Sequence, residues 1–437
     1  MPILKSPVPI LTRLRNGVLA AALLLGIWNV YRFAWVDISS PIPYRSWTPA
    51  EYGGSWRTNA GPRPGWSLKP VQDGNPDLLP KAEEYATSIV SPQNESHPRI
   101  QCPPFNRSRY RSLRGQQKFF FALDLRQVVD LMPTLMGSLV EAVSFLGPEN
   151  CAVSVVEGFS TDGTFEVLKL LQREMDDLGV SYFLQTSTID SHRGDRIGKL
   201  AKLRNLALEP MMADASRWGH DDATIVFVND VAVCADDVLE LLYQKRLQGA
   251  DMTCAMDYHL LDGHLVFYDV WVSRSMDGNS FFEVPAEGEW LNARNMFPGD
   301  GHSRARFEDR KPFQVFACWN GATAFSAAPF LEGQLEFRRA AKARGECGAG
   351  EPTLLCKDMW SLGYGKILVV PTVSLGYDVD EGRLVKESRG YTSGWTSVED
   401  TSKVEWEPEP PEMVRCIPSW RKQFWRPWNH ALEMANA

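Results

Sequence analysis

Several apolar runs in this chain end at a carboxylate, and these are the places where it could do chemistry. Ile225, Val226, Phe227 and Val228 lead straight into Asn229-Asp230. A short apolar run closed by an acid predicts a buried parallel strand that delivers the acid to the carboxyl edge of a sheet, where open α/β sheets bind ligands. A carboxylate there can hold a divalent cation against a diphosphate. The alternative is that Asp230 only turns the chain into the next helix. Asp236 and Asp237, a few residues on, read as first-turn helix acids. The same pattern occurs at Glu157, which ends CAVSVVE and opens the loop GFSTDGT. Glu157 would stand at the first switch point and could grip a ribose or base, or merely close a solvated strand end. Cys254-Ala-Met-Asp257 is a third strand ending in an acid, soon followed by Asp262 and Asp269.

Arg204 is placed differently. Ile197, Leu200, Ala201, Ala207 and Leu208 form one stripe of a helix, and Arg204 falls inside it. A guanidinium on a buried face needs a partner, either a structural carboxylate or a diphosphate oxygen. Asn205 beside it could serve a nucleotide or donor sugar. Trp319-Asn320-Gly321 suits sugar stacking plus a hydrogen-bonding amide, or else is an ordinary Asn-Gly turn. Glu351 follows Gly350 at the start of a helix, as a first-turn acid or as a carboxylate aimed at an acceptor. Asp378, after VVPTVSLGY, could supply a second metal ligand. No histidine pair has metal-ligand spacing, and neither GxGxxG nor a Walker A loop occurs.

These residues are positioned by alternating elements. Strands are predicted at FFFALDL, CAVSVVE, Val180–Gln185, Thr224–Val228 and Asp251–Tyr258, and helices at Gln127–Phe145, Phe165–Leu178 (capped by Thr161 or Asp162) and Ile197–Met212. Beyond Tyr258 the pattern loosens: a strand over His264–Val272, a strand-turn-strand over Gln314–Phe325, helices at Pro329–Lys342 and Pro352–Leu362, and a last strand at Lys366–Val370. Strand-helix alternation predicts an α/β fold with a doubly wound, mainly parallel sheet.

With 437 residues the chain can bury one large α/β core with decorations. Its formal net charge of −8 gives no support to nucleic acid as a partner. Lys5, Arg13 and Arg15 precede an apolar run at 17–36, which reads as a signal-anchor transmembrane helix behind a cytosolic tail of residues 1–16. Residues 37–114, rich in Pro, Gly, Ser and Trp, read as a stem with a helix near Leu78–Val90. The sequons at Asn94 and Asn106 suit a luminal location. The compact domain would span 115–390, with a Trp- and Pro-rich tail over 391–437 packed on it. Eight cysteines occur without a zinc spacing. Cys234, Cys254 and Cys318 look like buried free thiols, and Cys347–Cys356 or Cys102–Cys416 are the pairs first considered as bridges.

Taken together, the strand-acid loop, the Arg204-Asn205 helix, the Asn229-Asp230 strand end, WNG and the GEP helix resemble a GT-A glycosyltransferase. The wording FVNDVAVCADDVLELL, DMTCAMDY, FYDVWVSR, CWNGATAF and VVPTVSLGYD resembles fungal glycosyltransferase family 69, the capsule-associated α-1,3-mannosyltransferases and their relatives, over roughly Gln117 to Tyr391. The resemblance implies transfer of mannose from GDP-mannose to a mannoside acceptor in the secretory pathway (Golgi or a neighbouring compartment), with retention and assisted by Mn²⁺ or Mg²⁺. By that analogy Asn229-Asp230 occupies the place of the usual DxD motif, but Asn229 brings no charge and Val231 replaces the second acid. The metal would then rest on Asp230 with the diphosphate and Asp378. Asp230, Arg204, Asn205, Asn229 and Glu157 would bind the donor, Trp319 and Asn320 the acceptor, and Asp257 and Glu351 would act at the sugar. No nucleophile is singled out. A different class of reading is a catalytically silent GT-A-like protein assisting polysaccharide assembly or export, and another sugar nucleotide could replace GDP-mannose on the same fold.

Overall fold

The structure is a computed structural model and describes residues 74–90, 97–115, 117–219, 223–288, 291–397 and 402–432. The expected signal anchor and the Asn94 sequon lie outside the described residues. Strand β1 (Lys118–Leu125) lies at the middle of the domain, between β2 (Cys151–Glu157) and β4 (Ala223–Val228), parallel to both. Its side chains alternate between two cores. Phe119, Phe121, Leu123 and Leu125 face one side, and Phe120 and Ala122 face the other. Such a strand cannot sit at a solvated face, so helices cover both sides.

The nine-stranded sheet runs β3 (Ser181–Thr186), β2, β1, β4, β8 (Ala322–Ser326), β5 (Met252–Leu261), β9 (Ile367–Leu375), β7 (Phe313–Gln314), with β6 (His264–Phe267) paired to β5. Strands β1, β2, β3, β4, β5 and β9 run the same way; β6, β7 and β8 are antiparallel to their neighbours. The expected mainly parallel α/β sheet is therefore present, with an antiparallel strand inserted at its centre.

Ten helices are labelled here: α1 (Leu79–Val90), α2 (Met132–Leu146), α3 (Thr164–Leu178), α4 (Arg196–Ala213), α5 (Ala235–Gln248), α6 (Gly301–Glu308), α7 (Ala328–Leu331), α8 (Glu351–Ser361), α9 (Val379–Arg389) and α10 (Thr392–Trp395). Pro133 lies in the first turn of α2, where its missing N–H costs nothing. The stretch Val129–Leu146 is apolar enough to cross a membrane, yet it is a largely buried core helix. Gly163, in the left-handed region, is the N-cap of α3 in place of Thr161 or Asp162. Asp162 instead accepts from Val129 N and Thr164 N, tying the β1 loop to the β2 loop. The long helix expected over Pro329–Lys342 shrinks to the single turn of α7. Gly333 takes a positive φ there, and Arg338 is drawn onto Glu346 and Asp358. The strand expected over Gln314–Phe325 is no hairpin either, since β7 pairs with β9 while β8 joins β4 and β5.

The described residues among 79–90 and 97–113, read from composition as stem, pack on this domain. Ile89, Ile100, Tyr110 and Leu113 are buried, and Arg109 forks onto Glu240 of α5. The tail is fastened as well: Gln248 accepts from Val404 N, Gln314 accepts from Glu407 N, and hairpin β10–β11 (Met413–Ser419, Lys422–Pro427) follows.

The cysteines pair otherwise than expected: Cys102–Cys234, Cys254–Cys318 and Cys347–Cys416, with Cys151 and Cys356 free and buried. Apolar surroundings had made Cys234, Cys254 and Cys318 look like lone thiols, but the fold brings partners to them from distant strands and loops. Cys102–Cys234 spans 132 residues and clamps the pre-domain segment to the N-cap of α5. A Cys102→Ser/Cys234→Ser variant should lose roughly 3–5 kcal/mol of stability, as expected for a loop of this size. Chemical denaturation checks this, and an unchanged midpoint would remove the clamp from the argument.

Candidate active site

Val228 is the last residue of β4, and the chain leaves the sheet edge at Asn229 and Asp230. Asn229 N donates to Gly321 O, so the strand end is locked to the turn before β8. Its side chain points inward: Oδ1 accepts from Trp319 Nε1 at 3.1 Å and from Arg204 Nη1 at 3.4 Å. Asp230 is left exposed at the edge, ringed by protein except on its open side. Partial desolvation raises its pKa, opposed by Arg204 and Arg196.

Arg204 has found a carboxylate. Its Nε donates to Glu351 Oε1 at 2.9 Å, with Arg204 8% and Glu351 2% exposed, so the pair is buried together. The guanidinium lies 4.2 Å from the Trp319 ring centre and 4.9 Å from that of Phe227. Of its two expected kinds of partner Arg204 has the structural carboxylate, and it ties Glu351 to Asn229. Glu351 occupies the first turn of α8, which adds the favourable end of a helix dipole.

Other residues read as ligands face inward too. Both amide atoms of Asn205 pair with the backbone of Phe337, so it pins the irregular segment after α7 and is not free for a donor. Glu157 is fully buried and accepts from Phe159 N and Ser160 N, closing its own loop. Trp319 is 1% exposed and cannot cover a sugar ring. Asn320, buried at φ +56°, accepts from Ser273 Oγ and donates to Ala255 O. The WNG segment is thus an internal turn knitting β8 to β5, as its Asn-Gly pair allows. Asp378 is the N-cap of α9, with Oδ1 accepting from Glu381 N at 2.7 Å.

Asp257 is fully buried and accepts from Tyr377 Oη at 2.6 Å, while its other oxygen has no hydrogen-bond partner. Beside it stands Asp269, which accepts from Asn320 N. Desolvation raises both carboxyl groups, Asp269 to about 6 with Glu351 adding repulsion, and Asp257 well above its ordinary value with Asp269 adding repulsion. Two adjacent carboxyls out of water favour sharing a proton over two full charges. Asp257 is thus bound to Tyr377, with Asp269 beside it.

Around Asp230 stand groups that the sequence does not single out. Asp124, near the end of β1, is half-buried, and its pKa is pushed up to about 7, first by desolvation and then by Asp230, Glu351 and Glu157. It carries the same strand-then-acid signal as Asp230, hidden because Leu125 follows it. Exposed Arg196, at the start of α4, lowers the pKa of both Asp230 and Tyr268 and so stands near them. Tyr268 and Tyr377 pack with ring centres 4.7 Å apart, and Tyr268 is 38% exposed. Phe159, 36% exposed, holds φ +56° just past β2, an unusual conformation for a bulky residue and one that clusters at functional sites. Arg196 carries no sequence signal, and nothing in FYDVWVSR or VVPTVSLGYD marks Tyr268 or Tyr377 as a site residue, because the segments meet only in the fold.

The arrangement has one open acid, a neighbouring acid of near-neutral pKa, a free guanidinium and an aromatic rim over a buried ionic base. It can bind a polar ligand bearing negative charge beside a cation. Comparison with known proteins agrees in class. A family model described as cryptococcal mannosyltransferase 1 matches residues 118–358. The chain is 35% identical over 345 residues to alpha-1,3-mannosyltransferase CMT1 of Cryptococcus neoformans var. neoformans serotype D, covering 73% of each chain. Among solved structures, S. aureus TarS 1-349 is similar at 14% identity with a TM-score of 0.35, covering 60% of each chain. Mannosyltransferase PcManGT from Pyrobaculum calidifontis, solved with GDP-Man and Mn²⁺, is 12% identical with a TM-score of 0.34, covering 71% of this chain and 67% of its own. Structural likeness that distant adds nothing to the case, which rests on the sequence relationship. By that relationship, the chain belongs to the cryptococcal mannosyltransferase 1 family of hexosyltransferases.

Proposed function

We propose that this protein transfers mannose from GDP-mannose to a hydroxyl of a mannose-containing acceptor, making an α-1,3 linkage with retention, in cell-wall, capsule or glycan synthesis. The observation that carries the reading is the exposed Asp230 at the β1–β4 edge, with Arg196, not ion-paired among the described residues, beside it and the Arg204–Glu351 pair buried behind. In the transfer the C1–O bond to the diphosphate breaks and its electron pair stays on GDP. A bond from the acceptor oxygen to C1 forms, and the acceptor hydroxyl loses its proton. Arg196 would meet the charge growing on the diphosphate. Tyr268 and Tyr377, their ring planes 55° apart, offer aromatic faces for a sugar, and Phe159 a face for the base.

A divalent cation fits the residues present. The donors are oxygens, as Mg²⁺ and Mn²⁺ prefer, and a cation would offset the desolvation that raises Asp230 and the desolvation and acid repulsion that raise Asp124. Among the described residues no three ligating side chains form a ready cage. Asp230 would thus hold the ion jointly with the diphosphate, and Asp378, with one oxygen spent on its cap, is the second ligand proposed. When bound, the ion would supply Lewis-acid neutralisation of the leaving group. Three disulfides agree with an oxidising, luminal compartment, and Asn106 of the second sequon is exposed. A type II membrane anchor in the Golgi or a neighbouring compartment completes the proposal.

Titration calorimetry tests it. GDP should bind with Mn²⁺ and not without it. Near pH 6.5 binding should release protons, because Asp124, protonated below about 7, ionises beside the cation. Donor hydrolysis across a panel of sugar nucleotides should favour GDP-mannose. Absence of metal-dependent heat would instead support the non-catalytic role in polysaccharide assembly, and preference for a UDP-sugar would replace the donor.

A further inference from the structure

A second charged cavity lies beyond the end of β5. The β5–β6 hairpin turns at Asp262-Gly263, both at positive φ, and arches over the last turn of α9. Between them is a cavity of about 360 Å³ lined by Leu260, His264, Arg294, Arg310, Leu384 and Arg389, with no acidic residue in its wall. That volume falls at the small end of ligand pockets, roughly 300–1,000 Å³. Ring contacts hold two of the guanidinium groups in place. Arg389 lies 4.5 Å from the Tyr258 ring centre, and Arg310 lies 5.2 Å from that of Trp395. Neither is ion-paired among the described residues, and Nη1 of Arg310 is buried with no hydrogen-bond partner.

Burial and the nearby Arg389 both lower the pKa of Arg310, so the cluster is held at an electrostatic cost. Arginines without counter-ions, converging on a cavity, are unfavourable unless something negative fills it. The guanidinium fork matches a phosphate or carboxylate by paired hydrogen bonds. The position is also informative: Tyr258 directly follows Asp257, and α9 begins beside Asp378 and ends at Arg389. The elements that build the candidate active site therefore also carry this cavity.

We propose that Arg294, Arg310 and Arg389, converging under the β5–β6 hairpin, form a binding site for the oxyanion of a saccharide, its phosphate or its carboxylate. The inference rests on the glycosyltransferase reading for its ligand class, while the site itself stands on the cavity and its arginines. Calorimetry on the whole protein with inorganic phosphate and with glucuronate, against sodium chloride at equal ionic strength, tests it. At least one probe should bind saturably at one site, and Arg310→Gln/Arg389→Gln should weaken it by about tenfold or more. The stronger probe identifies the oxyanion. Saturating GDP with Mn²⁺ should leave this binding unchanged, which separates it from the donor site. Should the double variant not fold, Arg294→Gln, at an exposed position, must weaken the same probe. No saturable binding of either probe, equal affinity in the variants, or displacement by GDP would overturn the site, and none of these bears on whether GDP itself binds.

Discussion

Asp230→Asn is expected to lower the turnover of GDP-mannose by about 10²–10³-fold or more, with the melting midpoint almost unchanged. Asp230 has the most open carboxylate of the strand-end acids, and its side chain supports no hydrogen bond that the fold depends on. The isosteric amide keeps the shape of the edge and removes the charge. Because desolvation already raises the carboxyl, losing that charge relieves the folded protein slightly. The variant should therefore be folded, and metal-dependent binding of GDP should weaken with the rate. Steady-state kinetics beside a thermal melt makes the check, and wild-type turnover in Asp230→Asn would dismiss the proposed metal and diphosphate role.

Arg204→Met should behave in the opposite way, losing stability first. Removing one partner of a buried pair leaves Glu351 as an uncompensated charge 2% exposed to solvent, which costs roughly 3–5 kcal/mol. Arg204→Lys should recover little, because the guanidinium reaches Glu351 and Asn229 at once while lying over Trp319. The double variant Arg204→Met/Glu351→Met should regain much of the stability, since both charges are gone, yet stay inactive because Asn229 and the strand end lose their anchor. Denaturation midpoints for the three variants decide the matter. A single variant as stable as wild type would show that the pair does not hold the site's floor.

Chain order and burial in this protein were largely readable from residue patterns. Continuous apolar runs marked β1, β2 and β4, because strands covered on both faces have no polar side to show. The 3.6-residue stripe of α4 identified Arg204 as a buried cation in need of a partner, and the partner it has is a carboxylate. The reading of Asp230 as an edge acid used the same logic and agrees with its exposed place in the fold.

Which way a polar side chain turns was not readable. Asn205, Trp319 and Asn320 have the types a sugar site needs, but each meets a partner far away in the chain, while Glu157 closes its own loop at Phe159 and Ser160. Asp257 lies behind Tyr377, 120 residues on, and Arg196 and Tyr268 come near Asp230 from segments that the sequence does not mark as neighbours. The disulfides obey the same limit, since pairing depends on a few ångströms of separation that spacing along the chain does not encode. Periodicity records how much of each element is buried, a local property paid for residue by residue. The choice between ligand and scaffold depends on which groups from distant segments arrive first at hydrogen-bond distance, and only the tertiary structure settles it.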